Sequence, residues 1–305
     1  MINMKAKTAK KAAIIGLFAI IAIIASGGLY LNSLLNKTQK VDIPTDDNSL
    51  GIKVEAAEKD KKDISTIALF GIDAKNGNRG RSDAIMLLTI DNENNKIKLA
   101  SIMRDSYVNI PDRGMDKINH AYSYGGPELA LKTINSNYGL NIRDYATVDF
   151  TTLPNIIDQL GGVYIDVKSY EVNYIPGVKA AGLQTLNGEK ALAYSRIRYS
   201  GNGDYERTER QRTVLNSLFN KMATLSITEV PKYLSNMLPF IETSLSNSEI
   251  LSLATNTFTI NNFNLTQARF PEDDLSHGET INGVWYLRFD IEETAKHLQS
   301  FIYEQ

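Results

Sequence analysis

Five arginines fall within the run RIRYSGNGDYERTERQR: Arg196, Arg198, Arg207, Arg210 and Arg212. A guanidinium is a rigid fork of donors that fits carboxylate or phosphate oxygens two at a time, and it stays charged at physiological pH. So many like charges in a short stretch are best tolerated when an anion sits among them. Ser200 to Asp204 is a turn by composition, and Asp204 is placed to cap a helix that runs from Tyr205. Val214, Leu215, Leu218, Phe219 and Met222 form its apolar stripe. At roughly 100° per residue Gln211 falls on the centre line of that stripe, with Arg207 and Arg212 at its edges. The first turns of this helix therefore aim polar and cationic groups where apolar ones would be expected, and a helix N-terminus itself favours anions. The plainer alternative is a solvated helix start in which Glu206 and Glu209 pair with the arginines.

Two acids and a further arginine lie at strand ends. Thr66–Ile72 is a short apolar run closing on Asp73, Ala84–Ile90 is a second strand opening just after Asp83, and Ile97–Met103 is a third closing on Arg104-Asp105. The turn at Asp91–Asn95 is short, so the second and third strands make an antiparallel hairpin. That path brings Asp73, Asp83 and Arg104 to one end of the sheet, with Arg81 in the loop beside them. Two carboxylates can hold Mg²⁺, which keeps several waters and is commonly shared with phosphate oxygens. The alternatives are that each aspartate is a turn or cap residue and that Arg104-Asp105 is a local ion pair. Lys117, Asn119 and Tyr122 follow in DKINHAYSYGG, as cleft-lining groups or as an ordinary loop.

Further along, helical spacing marks Pro127–Tyr138, Thr152–Leu160, a segment through Gly188–Tyr194 capped by Asn187, and segments near Thr228–Leu238, Ser246–Thr257 and Ile291–Ile302. Strands are expected at Ala146–Phe150, Val163–Val167, Gln267–Phe270 and Val284–Phe289. This alternation predicts an α/β fold with a central mixed β-sheet sandwiched between helices.

Ala12–Leu31 is almost wholly apolar and about long enough to cross a bilayer. Lys5, Lys7, Lys10 and Lys11 precede it, which predicts a cytoplasmic N-terminus and an exported domain. A cleaved signal peptide ending near Ala25-Ser26-Gly27 is the rival. The expected organisation is a cytoplasmic N-terminus at 1–11, a single transmembrane anchor at 12–35, a polar flexible extracellular linker at 36–63, and one catalytic domain from 64 to 305. The net charge of −2 gives no global field for nucleic acid. The absence of cysteine excludes disulfides, thiolate zinc sites and cysteine nucleophiles. His120, His277 and His297 are widely spaced and suggest no histidine cluster.

These motifs also carry a resemblance. LFGIDAK, GRSDAIMLLTID, ASIMRDSYVNIP, DKINHAYSYGG, IDQLGGVYIDV, LNGEKALAYSRIR and GDYERTERQR stand in the order found in the LytR-CpsA-Psr family of bacterial cell-wall glycopolymer ligases. The resemblance implies a three-layer fold with a deep apolar pocket for a lipid tail. It implies transfer of a glycopolymer (teichoic acid, capsular or other wall polysaccharide) from a polyprenyl pyrophosphate carrier to peptidoglycan or another wall acceptor, as a phosphodiester. The family's magnesium-binding acids match Asp73 and Asp83. Its pyrophosphate-contacting residues match Arg104, Arg196, Arg198, Arg207 and Gln211, and Arg81, Arg210 and Arg212 also match motif positions. The chain departs from the family at Met103, where proline is frequent, and at Lys75, where arginine is frequent.

The expected chemistry is phosphoryl transfer, with Mg²⁺ and the arginines stabilising charge on the pyrophosphate. Asp105 is a candidate proton acceptor by position. Competing readings are a non-catalytic module that holds the carrier lipid, a hydrolase that splits the pyrophosphate with water, and a nucleic-acid-binding regulator.

Overall fold

The structure is a computed structural model that describes residues 32–57, 64–73, 79–197, 204–223, 236–259 and 265–304. The strands are β1 (Gln39–Lys40), β2 (Ile64–Ile72), β3 (Ser82–Asp91), β4 (Lys96–Ile102), β5 (Tyr107–Ile110), β6 (Gly114–Lys117), β7 (Asp144–Asp149), β8 (Val163–Val167), β9 (Gly182–Leu186), β10 (Ile241–Thr243), β11 (Leu265–Phe270), β12 (Ser276–Ile281) and β13 (Val284–Phe289). The helices are α1 (Val54–Ala57), α2 (His120–Tyr138), α3 (Leu153–Gln159), α4 (Gly188–Ser195), α5 (Asp204–Ala223), α6 (Asn247–Thr259) and α7 (Ile291–Tyr303).

Seven strands form one mixed sheet in the order β1-β10-β7-β2-β3-β4-β11. β2 pairs antiparallel with β3 and parallel with β7, while β3 and β4 make the predicted antiparallel hairpin. Two-residue periodicity is hidden in β3 because both of its faces are covered, leaving it buried along nearly its whole length. Its turn is closed by Asp91, whose carboxylate accepts from the Asn94 N–H at 3.0 Å, and by Asn95 at φ 52°.

One face of the sheet carries α2 and α7, joined through Leu131, Ile134, Tyr138, Leu298 and Ile302. The other carries α3, α4 and α5, joined through Ile156, Ile157, Ala191, Val214 and Leu218. The expected three layers are therefore present. Lys98 ties α7 down: its Nζ lies 3.6 Å from the Asp91 carboxylate and donates to the carbonyls of Ile302 and Glu304.

Several local expectations are met. The Asn187 side chain caps α4 by accepting from the Lys190 N–H. Others are corrected. α2 begins at His120 rather than Pro127, because Gly126 at φ 69° joins two helical segments across a kink. The loop containing Lys117 is partly a hairpin, β5–β6. Residues 36–57, expected as a flexible tether, are packed: Leu50 is fully buried against α2, and Asn135 Nδ2 donates to its carbonyl at 2.9 Å. Apolar residues scattered singly among polar ones left no periodic signal there.

Leu34 and Leu35, expected at the end of the membrane anchor, pack on Leu238. Among the described residues no helix is long and apolar enough to cross a membrane. The apolar segment 12–31 lies outside them, as does most of the helix expected near Thr228–Leu238.

Candidate active site

β2, β4 and β7 end, and β3 begins, at the same edge of the sheet. In mixed α/β sheets ligands bind in the crevice outside the carboxyl ends of the strands. The loop after β2 returns so that the N–H groups of Asp73 and Asp83 both donate to the Arg81 carbonyl, at 3.3 and 3.0 Å. One backbone oxygen thus sets the two aspartates side by side. They line a cleft of about 110 Å³ together with Phe150, Ser195, Arg196, Arg207 and Gln211.

Arg104 stands behind this cleft, buried, with its NH1 2.8 Å from Asp83 Oδ1 and its Nε 3.1 Å from Asp105 Oδ2. Arg207 approaches the other Asp83 oxygen at 3.6 Å. Asn119 Nδ2 is 3.5 Å from Asp83 as well, and the Asn119 N–H donates to the Arg104 carbonyl. α5 turns Arg207 and Gln211 inward, 7% and 5% exposed, on the same side as buried Val214 and Leu218. The helical phase predicted this. Among the described residues Gln211 Oε1 is buried without a hydrogen-bond partner, and such an atom is costly unless a ligand or water completes it.

Directly beside the cleft lies a second cavity, of about 130 Å³ and almost purely apolar, between the sheet and helices α3 and α5. Leu69, Met86, Val148, Leu215 and Met237 are among its walls, and Phe150 belongs to both cavities. A Cβ at Gly71 would come within 3.0 Å of the Phe150 ring, so glycine there leaves the ring its place.

Not every predicted site residue reaches the cleft. Arg210 is buried but turned away: Nε donates to Glu171 at 2.6 Å, NH2 to Glu206 at 2.7 Å and NH1 to the Ile197 carbonyl at 3.2 Å. Burial opposes its charge, but Glu171 and Glu206 outweigh that and hold its pKa above the ordinary value. For Arg210 and Glu206 the plain ion-pair reading is the correct one.

Asp105 also lies outside the cleft lining. One of its oxygens accepts from Arg104 and the other from Lys117 Nζ at 2.6 Å, so it fixes two cations rather than facing a substrate proton. Lys117 reaches the cleft only through this relay. Tyr122 belongs to the core, where it meets Phe70 and Thr147; burial pushes its hydroxyl up to about 12. Arg81 is exposed, and Arg196 is exposed at the end of α4 while lining the cleft. Arg198 lies outside the described residues, as do Lys75 and the side chain of Arg212. Phe150 and Ser195 were missed. Ser195 directly precedes the Arg-x-Arg pair, a signal that sequence reading passed over.

Comparison with known proteins bears on the family and the fold. The profile of the LytR_cpsA_psr family matches residues 30–301. "Polyisoprenyl-teichoic acid–peptidoglycan teichoic acid transferase TagU" of Oceanobacillus iheyensis is 33% identical over 304 residues, covering 91% of this chain and 89% of its own. The solved structure "TagT bound to LIIa-WTA" matches with a TM-score of 0.64 at 30% identity, over 79% of this chain and 91% of that one. A structure of YwtF (TagT) "with bound octaprenyl pyrophosphate lipid" matches with a TM-score of 0.64 at 26% identity, over 86% of this chain and 99% of that one. A family profile spanning nearly the whole chain, on a fold shared with these structures, shows that the chain belongs to the LytR-CpsA-Psr family.

Proposed function

We propose that this protein transfers a wall glycopolymer from a polyprenyl pyrophosphate carrier to a hydroxyl of peptidoglycan or a related wall acceptor. One observation carries the reading: an apolar cavity and a cleft of acids and arginines share a wall at Phe150. That pair of sites suits an amphiphile with a greasy tail and a multiply charged head. Arg207 and Arg196 line the head-group cleft, with Arg104 behind Asp83; Arg198 is assigned to it by its motif alone. Gln211 supplies an amide, Arg81 is exposed beside the two aspartates, and Arg212 is assigned by its motif alone. Arg210 is reassigned to holding α5 on Glu171, and Asp105 to positioning Arg104.

Asp73 and Asp83 would hold Mg²⁺. Among the described residues no group of three or more acidic or histidine side chains converges. Two carboxylates with water and phosphate oxygens nevertheless fit this ion, which rarely has an all-protein shell. When bound it would offset charge on the diphosphate. The arginines bind and orient that head group, and their charge is preorganised for the transition state. The acceptor hydroxyl attacks the phosphorus next to the glycopolymer, the bond to the bridging oxygen breaks, and the hydroxyl proton passes to the departing phosphate. Polyprenyl phosphate leaves, and the acceptor keeps the polymer as a phosphodiester. The segment 12–31 would anchor the protein with its N-terminus cytoplasmic and this domain outside, which protease accessibility on intact cells tests.

The deciding experiment incubates the purified full chain with lipid-linked polymer, acceptor and Mg²⁺, then identifies products. A phosphodiester-linked acceptor with released polyprenyl phosphate is expected. Water-derived products alone would make the protein a pyrophosphate hydrolase, and carrier binding without turnover would make it a carrier-holding module.

A further inference from the structure

The face of the molecule on the α2 side of the site carries a built aromatic surface that the transfer reading leaves unused. Trp285, the only tryptophan of the chain, is 42% exposed on β13. Its indole lies across Gly278 of the paired strand β12: a Cβ there would sit 2.7 Å from Nε1 and 3.0 Å from two ring carbons. Glycine thus lets one ring face seat flat on the hairpin, and the strand pairing fixes the hairpin behind it. Lys117 Nζ stands 5.9 Å from the Trp285 ring and 5.7 Å from the Tyr286 ring. Tyr286 packs on Tyr107 at 4.7 Å, and the Arg288 guanidinium covers Tyr107 at 5.1 Å.

This surface is wired to the cleft. The Leu287 N–H donates to the Asp105 carbonyl at 2.9 Å, so β13 is joined to the chain directly after Arg104. Lys117 bonds Asp105, Asp105 bonds Arg104, and Arg104 bonds Asp83 in the cleft wall. The surface also lies on the opposite side of the sheet from the apolar cavity. β5 packs into the core beneath α2 through Val108 and Ile110, whereas Leu69, Met86 and Val148 point the other way into the tail cavity.

We infer that Trp285, Tyr286 and Lys117 form the docking surface for the acceptor's glycan strand. A pyranose ring has an apolar C–H face that stacks on an indole or phenol and an equatorial rim of hydroxyls that seeks donors such as Lys117. Aromatic bodies with polar tips, flanked by Lys117 and by Arg288 with Glu279 at 3.4 Å, suit such a hydroxyl-rich chain. Displacement at phosphorus keeps the attacking and leaving oxygens roughly in line. With the leaving lipid phosphate on the side of the apolar cavity, the attacking hydroxyl comes from the far side, where this surface stands. The assignment of the glycan as acceptor rests on the transfer reading; the presence of a glycan surface does not.

The test titrates the full chain with chitohexaose and follows the emission of the single tryptophan. A saturable change is expected. With donor and peptidoglycan fragments, Trp285→Ala should raise KM for the acceptor about tenfold, leaving kcat and donor KM unmoved, and Trp285→Phe should restore most of the loss. No saturable change with chitohexaose, or an unmoved acceptor KM in a Trp285→Ala protein that still cleaves donor, would overturn the proposal. So would donor head group saturating the same signal in place of the glycan. Identifying the products formed by the wild type from donor and acceptor together tests the transfer reading separately, and its failure would leave the chitohexaose result to decide the surface.

Discussion

The Asp83–Arg104 pair should behave as one energetic unit, and a double-mutant cycle can show it. Both side chains are buried, 6% and 4% exposed, and their charged atoms are 2.8 Å apart. At an effective dielectric constant of about 20 the gross attraction at that distance is roughly 6 kcal/mol, most of it offset by desolvation. Breaking such a pair costs about 3–5 kcal/mol when the surviving charge is stranded. Here neither is fully stranded, because Arg207 remains 3.6 Å from Asp83 and Asp105 remains 3.1 Å from Arg104. Arg104→Met should therefore cost about 3 kcal/mol. Asp83→Asn, which keeps an amide in place, should cost about 2 kcal/mol. The double variant has no charge left to strand at this contact and should cost little more than Arg104→Met alone, a coupling of about 2 kcal/mol. Urea unfolding of the four proteins, read by far-UV circular dichroism, measures it. A coupling below about 0.5 kcal/mol, within the scatter of independent sites, would refute the argument that these residues hold each other in the cleft wall.

Arg207→Ala should lower transfer about 10²- to 10³-fold with the unfolding midpoint nearly unchanged, whereas Arg210→Met should cost about 3 kcal/mol of stability and spare the turnover of the molecules still folded. The two assays run on both variants separate a cleft arginine from a scaffold arginine. Asp73→Asn should raise the Mg²⁺ concentration needed for half-maximal transfer, and chelation should abolish transfer in the wild type; Mg²⁺-independent turnover would end the metal assignment. Burial alone would raise Asp116, but hydrogen bonds from His120, the Lys117 N–H and the Tyr124 hydroxyl outweigh it and hold the carboxyl below its usual range. Its stabilising contribution is then present above the unfolded value of about 4 and lost as pH falls through the lower folded value. Urea midpoints measured from pH 7 down to 3 should decline less steeply for Asp116→Asn than for the wild type.

What could be read from the sequence was what local periodicity encodes. The runs that became β2, β3 and β4 are apolar and bounded by turns, so their pairing and the shared edge of Asp73, Asp83 and Arg104 followed. The phase of α5 placed Arg207 and Gln211 inward. That phase could not separate Arg207 from Arg210, which lie three residues apart on neighbouring faces. What separates them is Glu171, 39 residues earlier in the chain, and local sequence carries no sign of that encounter. The β5–β6 and β12–β13 hairpins were passed over or only half seen because GMDK and SHGETI lack apolar alternation. The bond from the Leu287 N–H to the Asp105 carbonyl joins the two hairpins, a contact that local sequence does not carry. Phe150 ends a strand legible in the sequence, but its part in two cavities depends on helices from elsewhere in the chain.

The packed course of residues 36–57 has a consequence for reach. A flexible segment of the 28 residues first expected at 36–63 would let the domain wander roughly 30 Å from its point of attachment. Instead Leu34 and Leu35 rest on Leu238, β1 joins the sheet beside β10, and the neighbouring Met237 and Ile241 wall the apolar cavity. If the segment before Asn32 is the anchor proposed above, it would hold that cavity close to the membrane. A prenyl chain lying in the same membrane would meet the cavity with little travel through water, and lengthening the connection should slow capture of the lipid without altering the cleft.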